Sequence, residues 1–359
     1  MFVDKKIIMK IPVLSYFAGG GFLDLGFELE GYNIIWSNEI SLEISKIYNS
    51  GMTSTLKKKK QITSNEPIES IDANMLKCTL CKRLDSKIWG IIGGPPCPDF
   101  SIGGKNKGKD GERGKLSKVY VEHICTLSPS FFIFENVKGL IQTHKHKVFF
   151  DELVVLLEES GYAIDYKLLN ALDYGVPQDR ERVILVGIKK DFFKSIYKTE
   201  YISGLKWYPW PIPKYPNAKQ LFGVNNSVIP NELKVGTYVM NQEELIKLAN
   251  SNEYFIPKSN KFNEIEEGDT SRKSFKRLHR DKYSPTVAYG NNEVHLHPVL
   301  SRRLSVREAL RLQTVPDSYV VADDVTLSTK FKVIGNGVPV KLSRAIAKSM
   351  KELLTKTNK

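Results

Sequence analysis

The chain has 359 residues, 41% hydrophobic and 26% charged, enough to bury one substantial core beside a second, smaller lobe. Lys and Arg outnumber Asp and Glu by 53 to 40, a formal net charge of +13 that favours a polyanionic partner, nucleic acid ahead of a membrane surface. No run of about 18 apolar residues offers a membrane span, the N-terminus lacks the features of a signal peptide, and four cysteines are too few for a disulfide framework, so a soluble, cytoplasmic chain is expected.

Short apolar runs followed by Gly- or Pro-marked loops and helix-like segments predict an α/β fold between residues 11 and 190. Strands are expected at 11–17, 32–38, weakly near Ile71, and at 88–94, 131–137, 163–170 and 182–189. The last two flank ALDYGVPQDRE with no helix between them, which predicts an antiparallel pair at one edge of an otherwise parallel sheet. The lysine run 57–60 reads as a solvated loop. Cys78 and Cys81 form a CxxC without further Cys or His at matching spacing, so no metal is expected. From 191 to 300, Pro, Asn, Lys and aromatics replace the alternation, as in WYPWPIPKYPNAKQ, and a separate irregular lobe is expected. Within it, SRKSFKRLHRDKYS (271–284) mixes basic and aromatic residues, suited to phosphate contact and a few base-edge contacts. His295 and His297 lack a third ligand and read as strand-end residues. RRLSVREALRLQ predicts a helix with Ser305 and Glu308 as a capping box. After about 325 the α/β pattern resumes with FKVIGNGVPV and an amphipathic helix over KLSRAIAKSMKELL.

Three constellations carry chemistry. The first strand ends in SYFAGGGFLDLGFELEG, a Gly-rich turn opening a helix, where backbone amides can approach a ligand. Glu39, 18 positions after Gly21, and Asp72 stand where carboxylates can accept bonds from ribose hydroxyls, a pattern that a dinucleotide would also satisfy. The strand at 88–94 runs into GGPPCPDFS and places Cys97 at its C-terminal end, the edge where open α/β sheets handle ligands. The next strand ends in ENV, which brings Glu135 to the same edge.

FAGGG, the PPC loop, ENV, QDRER (178–182), RRLSVREALRLQTVPD (302–317) and GNGVP (335–339) occur in the order found in the cytosine-5 DNA methyltransferase family of the bacterial restriction-modification type, and the chain resembles that family from Phe17 to Val340. The resemblance implies a Rossmann-like, S-adenosylmethionine-dependent methyltransferase sheet, mostly parallel with an antiparallel edge strand, in a catalytic domain of residues 1–190 and 325–359. Residues 191–324 would be the target-recognition domain, with 191–300 its variable part. Phe17, Gly19, Gly21, Glu39, Asp72 and Asn336 would line the S-adenosylmethionine site. Cys97 would be the nucleophile, with Glu135 and Arg182 in the cytosine pocket and Arg180 nearby. Such a thiolate adds to C6 of a flipped cytosine while Glu135, its pKa raised, holds N3 and the exocyclic amine. The basic, glycine-rich stretch 101–117 would close over the DNA. A monomer on double-stranded DNA, with a cognate restriction endonuclease for the same site, completes the expectation. Methylation of tRNA, and a DNA-binding protein that has lost catalysis, are the alternatives. Phe22 replaces a customary glycine, and Pro98 with Asp99 departs from the usual continuation of the Pro-Cys pair.

Overall fold

Residues alternate between two apolar faces along each central strand, so the sheet is coated on both sides. In Phe131–Val137, Phe131 and Ile133 enter one core while Phe132 and Phe134 enter the other. The computed structural model describes residues 10–80, 84, 88–96, 112–223, 228–256, 260–272, 274–287, 289 and 294–356. Six strands, β1 (Ile11–Tyr16), β2 (Tyr32–Ser37), β3 (Gly90–Gly93), β4 (Phe131–Val137), β5 (Tyr162–Asn170) and β6 (Glu181–Lys189), form one sheet in the order β2-β1-β3-β4-β6-β5. The first four are parallel. β6 runs antiparallel to both β4 and β5. The expected edge pair is therefore present, with the reversed strand the inner member of the pair. The segment near Ile71 is not a strand: Ile68–Ser70 is a single 3-10 turn, and among the described residues only an isolated bridge, Asn38 to Ser64, continues the sheet beyond β2.

Helices α1 (Phe22–Leu29), α2 (Leu42–Leu56), α3 (Ala73–Leu80), α4 (Glu112–Leu127), α5 (Gly139–Gln142) and α6 (His144–Glu159) connect the strands. α7 (Lys190–Tyr197), α8 (Ala218–Phe222), α9 (Gly236–Val239) and α10 (Gln242–Leu245) follow, then the two-residue strands β7 (Lys276–Arg277) and β8 (His295–Leu296). The chain closes with α11 (Val306–Leu312), α12 (Leu327–Asn336) and α13 (Val340–Thr355). α11 starts on the expected capping box, Ser305 accepting from Glu308 N and Glu308 from Ser305 N. FKVIGN ends a helix, so the C-terminal segment adds α12 and α13 to the sheet and no strand. α13 packs against α1, its apolar stripe of Leu342, Ile346, Met350 and Leu353 completing the core on that face. The irregular segment does not stand apart: Trp207 and Tyr208 pack in the same core as β6, and a third core joins Phe22, Tyr48 and Met52 to Val235, Leu278, Val287 and Leu310. Among the described residues no helix is long and apolar enough to cross a membrane.

Candidate active site

The strand order reverses between β1 and β3, so the crevice beyond their C-terminal ends is where this architecture binds ligands. The Gly-rich turn leaves β1 there. Phe17 (φ 53°), Gly19 (φ 55°) and Gly21 (φ 77°) are all left-handed, which coils the chain tightly before α1. A Cβ on Gly19 would meet only Phe17 O at 3.9 Å, so the turn keeps an open side there. Gly20 is closed off by Val333 and Gly21 by Tyr48. Glu39, just beyond β2 and nearly buried, accepts from Gly19 N (3.1 Å) and from Ser41 N (2.9 Å), tying the turn to the start of α2. Burial pushes its pKa up against those two bonds.

The remaining residues expected at the cofactor site differ in setting. Asp72 is exposed, and its Oδ1 accepts from Asn74 N (2.8 Å) and Met75 N (3.0 Å), so it caps α3. A cavity of about 440 Å³ opens beside it, lined by Trp36, Asn65, Ser70, Ile71 and Met75. Asn65 links that cavity to the Glu39 carbonyl through its side-chain amide (2.6 Å). Asn336 is exposed at the last position of α12. Phe22 points into the core: it is 2% exposed, stacks edge-on against Tyr319, and fills the space a side chain at Gly337 would need.

The second half of the site lies where β3 and β4 end. Glu135 is 8% exposed and forms an ion pair with Arg182, Nε to Oε1 at 3.0 Å. The pairing follows from register: Glu135 lies opposite Ile184 and Val137 opposite Arg182, so both charged side chains share one face. Burial raises the Glu135 pKa, while Arg182 and Arg180 pull it down. Gly94 lies against this carboxylate; a Cβ there would stand 2.7 Å from Glu135 Oε2. Asn136 donates to Pro95 O (3.4 Å), fastening the loop that leads to Cys97 onto β4. Cys97 itself, with Pro98 and Asp99, lies outside the described residues, as do Cys81 and most of 101–117. Gly94 and Asn136 escaped the sequence reading, although both sit inside motifs already singled out.

Arg180 is placed differently from Arg182. Wholly buried, it donates to Val287 O (2.9 Å) and Gly335 O (2.9 Å), holding the irregular segment and the end of α12 to the start of β6. Burial and the neighbouring Arg182 drive its pKa well down. The sequence of residues 11–352 matches the C-5 cytosine-specific DNA methylase family. The chain belongs to this family. It is therefore a DNA cytosine-5 methyltransferase. It is 44% identical over 358 residues to the Type II methyltransferase M.NmeDI of Neisseria meningitidis serogroup C, covering 96% of this chain and 84% of that protein. It is 33% identical to the Type II methyltransferase M.FnuDI of Fusobacterium nucleatum, covering 97% and 96%. Among solved structures, a prophage-encoded DNA modification methyltransferase (E. coli) superposes with a TM-score of 0.68 at 23% identity, over 96% of this chain and all of that one. Dnmt2 of S. pombe gives 0.62 at 16%, over 98% and 100%. These two likenesses concern the fold.

Several basic residues that the sequence offers for phosphate contact are paired within the methyltransferase. In the 271–284 stretch, Arg277 is buried and donates to His297 O (2.8 Å) and Leu300 O (3.0 Å), with further bonds to Ile265 and Phe262. Arg280 is paired with Glu267 and Arg272 with Asp269. Lys58 and Lys60 of the lysine run converge on Glu28, whose carboxylate is enclosed. Much of the positive charge thus has internal work. His295 is buried in β8, and His297 Nδ1 accepts from the Val299 and Leu300 amides.

Proposed function

We propose that this enzyme is a modification methyltransferase of the Type II kind, which uses S-adenosylmethionine to methylate one cytosine within a particular duplex sequence. The observation that carries the site assignment is the buried Glu135–Arg182 pair beside the loop that delivers Cys97. In this reading Phe17, Gly19, Gly21, Glu39, Asp72 and Asn336 hold the cofactor. The open side of Gly19 and the Glu39 carboxylate suit a ligand that brings hydroxyls and needs close backbone approach. When bound, S-adenosylmethionine supplies an electrophilic methyl on a sulfonium.

The chain's own residues prepare the base. Cytosine C5 is a poor nucleophile, so the Cys97 thiolate adds to C6, forming an S–C6 bond and moving the C5–C6 π electrons to C5. Negative charge accumulates on the ring as it does so. Glu135, its pKa raised by burial, shares a proton with N3 and accepts from the exocyclic amine, offsetting that charge. Arg182 orients Glu135 and reaches the base carbonyl. Once C5 carries the methyl group, its proton passes to solvent, the C–H electron pair re-forms the C5–C6 double bond, and the C6–S bond breaks to release Cys97 as thiolate. A base inside a duplex exposes neither face of C6 to the thiol, so the nucleotide is flipped into the crevice. Residues 1–190 and 325–359 form the catalytic domain and 191–324 select the sequence, with the enzyme acting as a monomer alongside a restriction endonuclease for the same site.

The test is Cys97→Ser. It abolishes methyl transfer to duplex DNA while leaving DNA affinity within about tenfold, because base flipping and phosphate contacts do not need the thiol. Turnover at the unmodified rate refutes the assignment.

A further inference from the structure

The motif QDRER enters β6 with its charges in alternation. Arg182 lies on the face of Glu135, whereas Glu181, the first residue of β6, lies on the other, as the period-two geometry of a strand requires; Asp179 and Arg180 precede the strand. Each of these carboxylates holds a lysine from a different segment. Glu181 pairs with Lys138 (2.7 Å), the residue that follows β4. Asp179 pairs with Lys219 on α8 (2.8 Å) and also accepts from Asn170 Nδ2 (2.7 Å). The lysines are 37% and 52% exposed at their side chains, the carboxylates 24% and 21%, while Glu135 and Arg182 are 10% and 13% exposed. Glu181 also pulls upward on the Lys219 pKa, so the two pairs form one cluster.

The cluster forms a rim beside the Glu135–Arg182 pair, where β6 begins and the irregular segment joins it. Asp179 N donates to Ser284 O, and Thr286 donates to Asp179 O. A flipped cytosine cannot reach Glu135 without bringing its sugar and flanking phosphates to this rim. Adjacent Cα atoms are about 3.8 Å apart, so Glu181 and its lysine lie within a nucleotide's span of Arg182. Exposed ion pairs are weak in water, so an ammonium can exchange a carboxylate for a phosphate at little cost.

We propose that Lys138 and Lys219 bind phosphates of the strand carrying the target cytosine, and that Glu181 and Asp179 hold them in place until DNA arrives. This rests on the DNA methyltransferase reading of the crevice. The carboxylates then oppose the incoming phosphates, which gives the two halves of each pair opposite effects on binding.

Affinity for a random-sequence duplex is measured by fluorescence anisotropy on the full chain, across about 50–200 mM salt, for K138Q, K219Q, E181Q and D179N, with melting temperatures in parallel. Each lysine variant weakens binding at low salt and makes the loss of affinity over that range about 3.5-fold smaller, the share of one phosphate contact. In turnover assays the lysine variants raise KM for DNA with kcat preserved, and K138R and K219R restore both binding and KM. E181Q and D179N tighten binding. If the carboxamide variants weaken binding as the lysine variants do, the pairs merely hold the fold and the proposal is overturned. An unchanged salt dependence in K138Q and K219Q, with the unmodified chain binding DNA normally, also overturns it. Absence of salt-dependent binding in the unmodified chain overturns the DNA reading itself.

Discussion

Gly94→Ala tests how closely the pocket is built around Glu135. Gly94 does not have positive φ, so alanine is tolerated by the backbone and its effect is steric. The new Cβ would stand 2.7 Å from Glu135 Oε2, and ordinary contact begins at 3.4 Å, so the carboxylate must withdraw by about 0.7 Å. It cannot do so without altering its 3.0 Å bond to Arg182, because both side chains are almost enclosed. A misplacement near 1 Å costs up to about 10²-fold in rate, or about 2.7 kcal/mol of transition-state stabilisation. The expected kcat is therefore about 10- to 100-fold below that of the unmodified enzyme. DNA affinity stays within about threefold, since no phosphate contact is touched. Single-turnover transfer of a labelled methyl group to duplex DNA, with anisotropy and a thermal melt, separates the cases. A kcat within about twofold of normal in a folded variant would refute the reasoning, because Glu135 would then have room to spare.

Two further outcomes follow from buried charge. Arg180→Met removes donors from Val287 O and Gly335 O and should cost about 3 kcal/mol or more in urea unfolding. Normal stability with abolished turnover would instead return Arg180 to the chemistry. Asp24 is wholly enclosed, and burial pushes its pKa up to about 6 from 3.8, against hydrogen bonds from Ser15 (2.6 Å) and Tyr48 (2.9 Å). Its folded pKa lies above its unfolded one, so its stabilising effect is complete below about pH 4 and disappears as pH rises through about 6. Unfolding free energy should fall by roughly 3 kcal/mol over that range relative to Asp24→Asn, and parallel pH profiles for the two proteins would contradict this.

Motif order was legible because four of the six motifs combine a strand end with residues that only a particular chemistry needs. FAGGG, PPC, ENV and QDRER all fall at strand termini, and a parallel sheet gathers strand ends at one edge whatever the intervening sequence. The capping box at Ser305 was equally readable, since both partners lie within one helical turn. The 3-10 turn at Ile68–Ser70 was not, because three residues between loops carry no periodicity that separates turn from strand.

Sequence by itself thus determined the family, the order of the elements and the set of chemically useful side chains. Tertiary structure decided which of those side chains meet one another. Arg180 and Arg182 are two positions apart and chemically identical, yet one meets Glu135 across β4 and the other meets two backbone carbonyls from distant segments. The same holds for Arg277, which reads as a DNA contact and is buried among carbonyls. Carbonyls that lack a partner in an irregular lobe must find a donor before they can be buried, and a neighbouring arginine offers five. Which arginine serves them depends on segments far apart in the chain, and no local pattern encodes that.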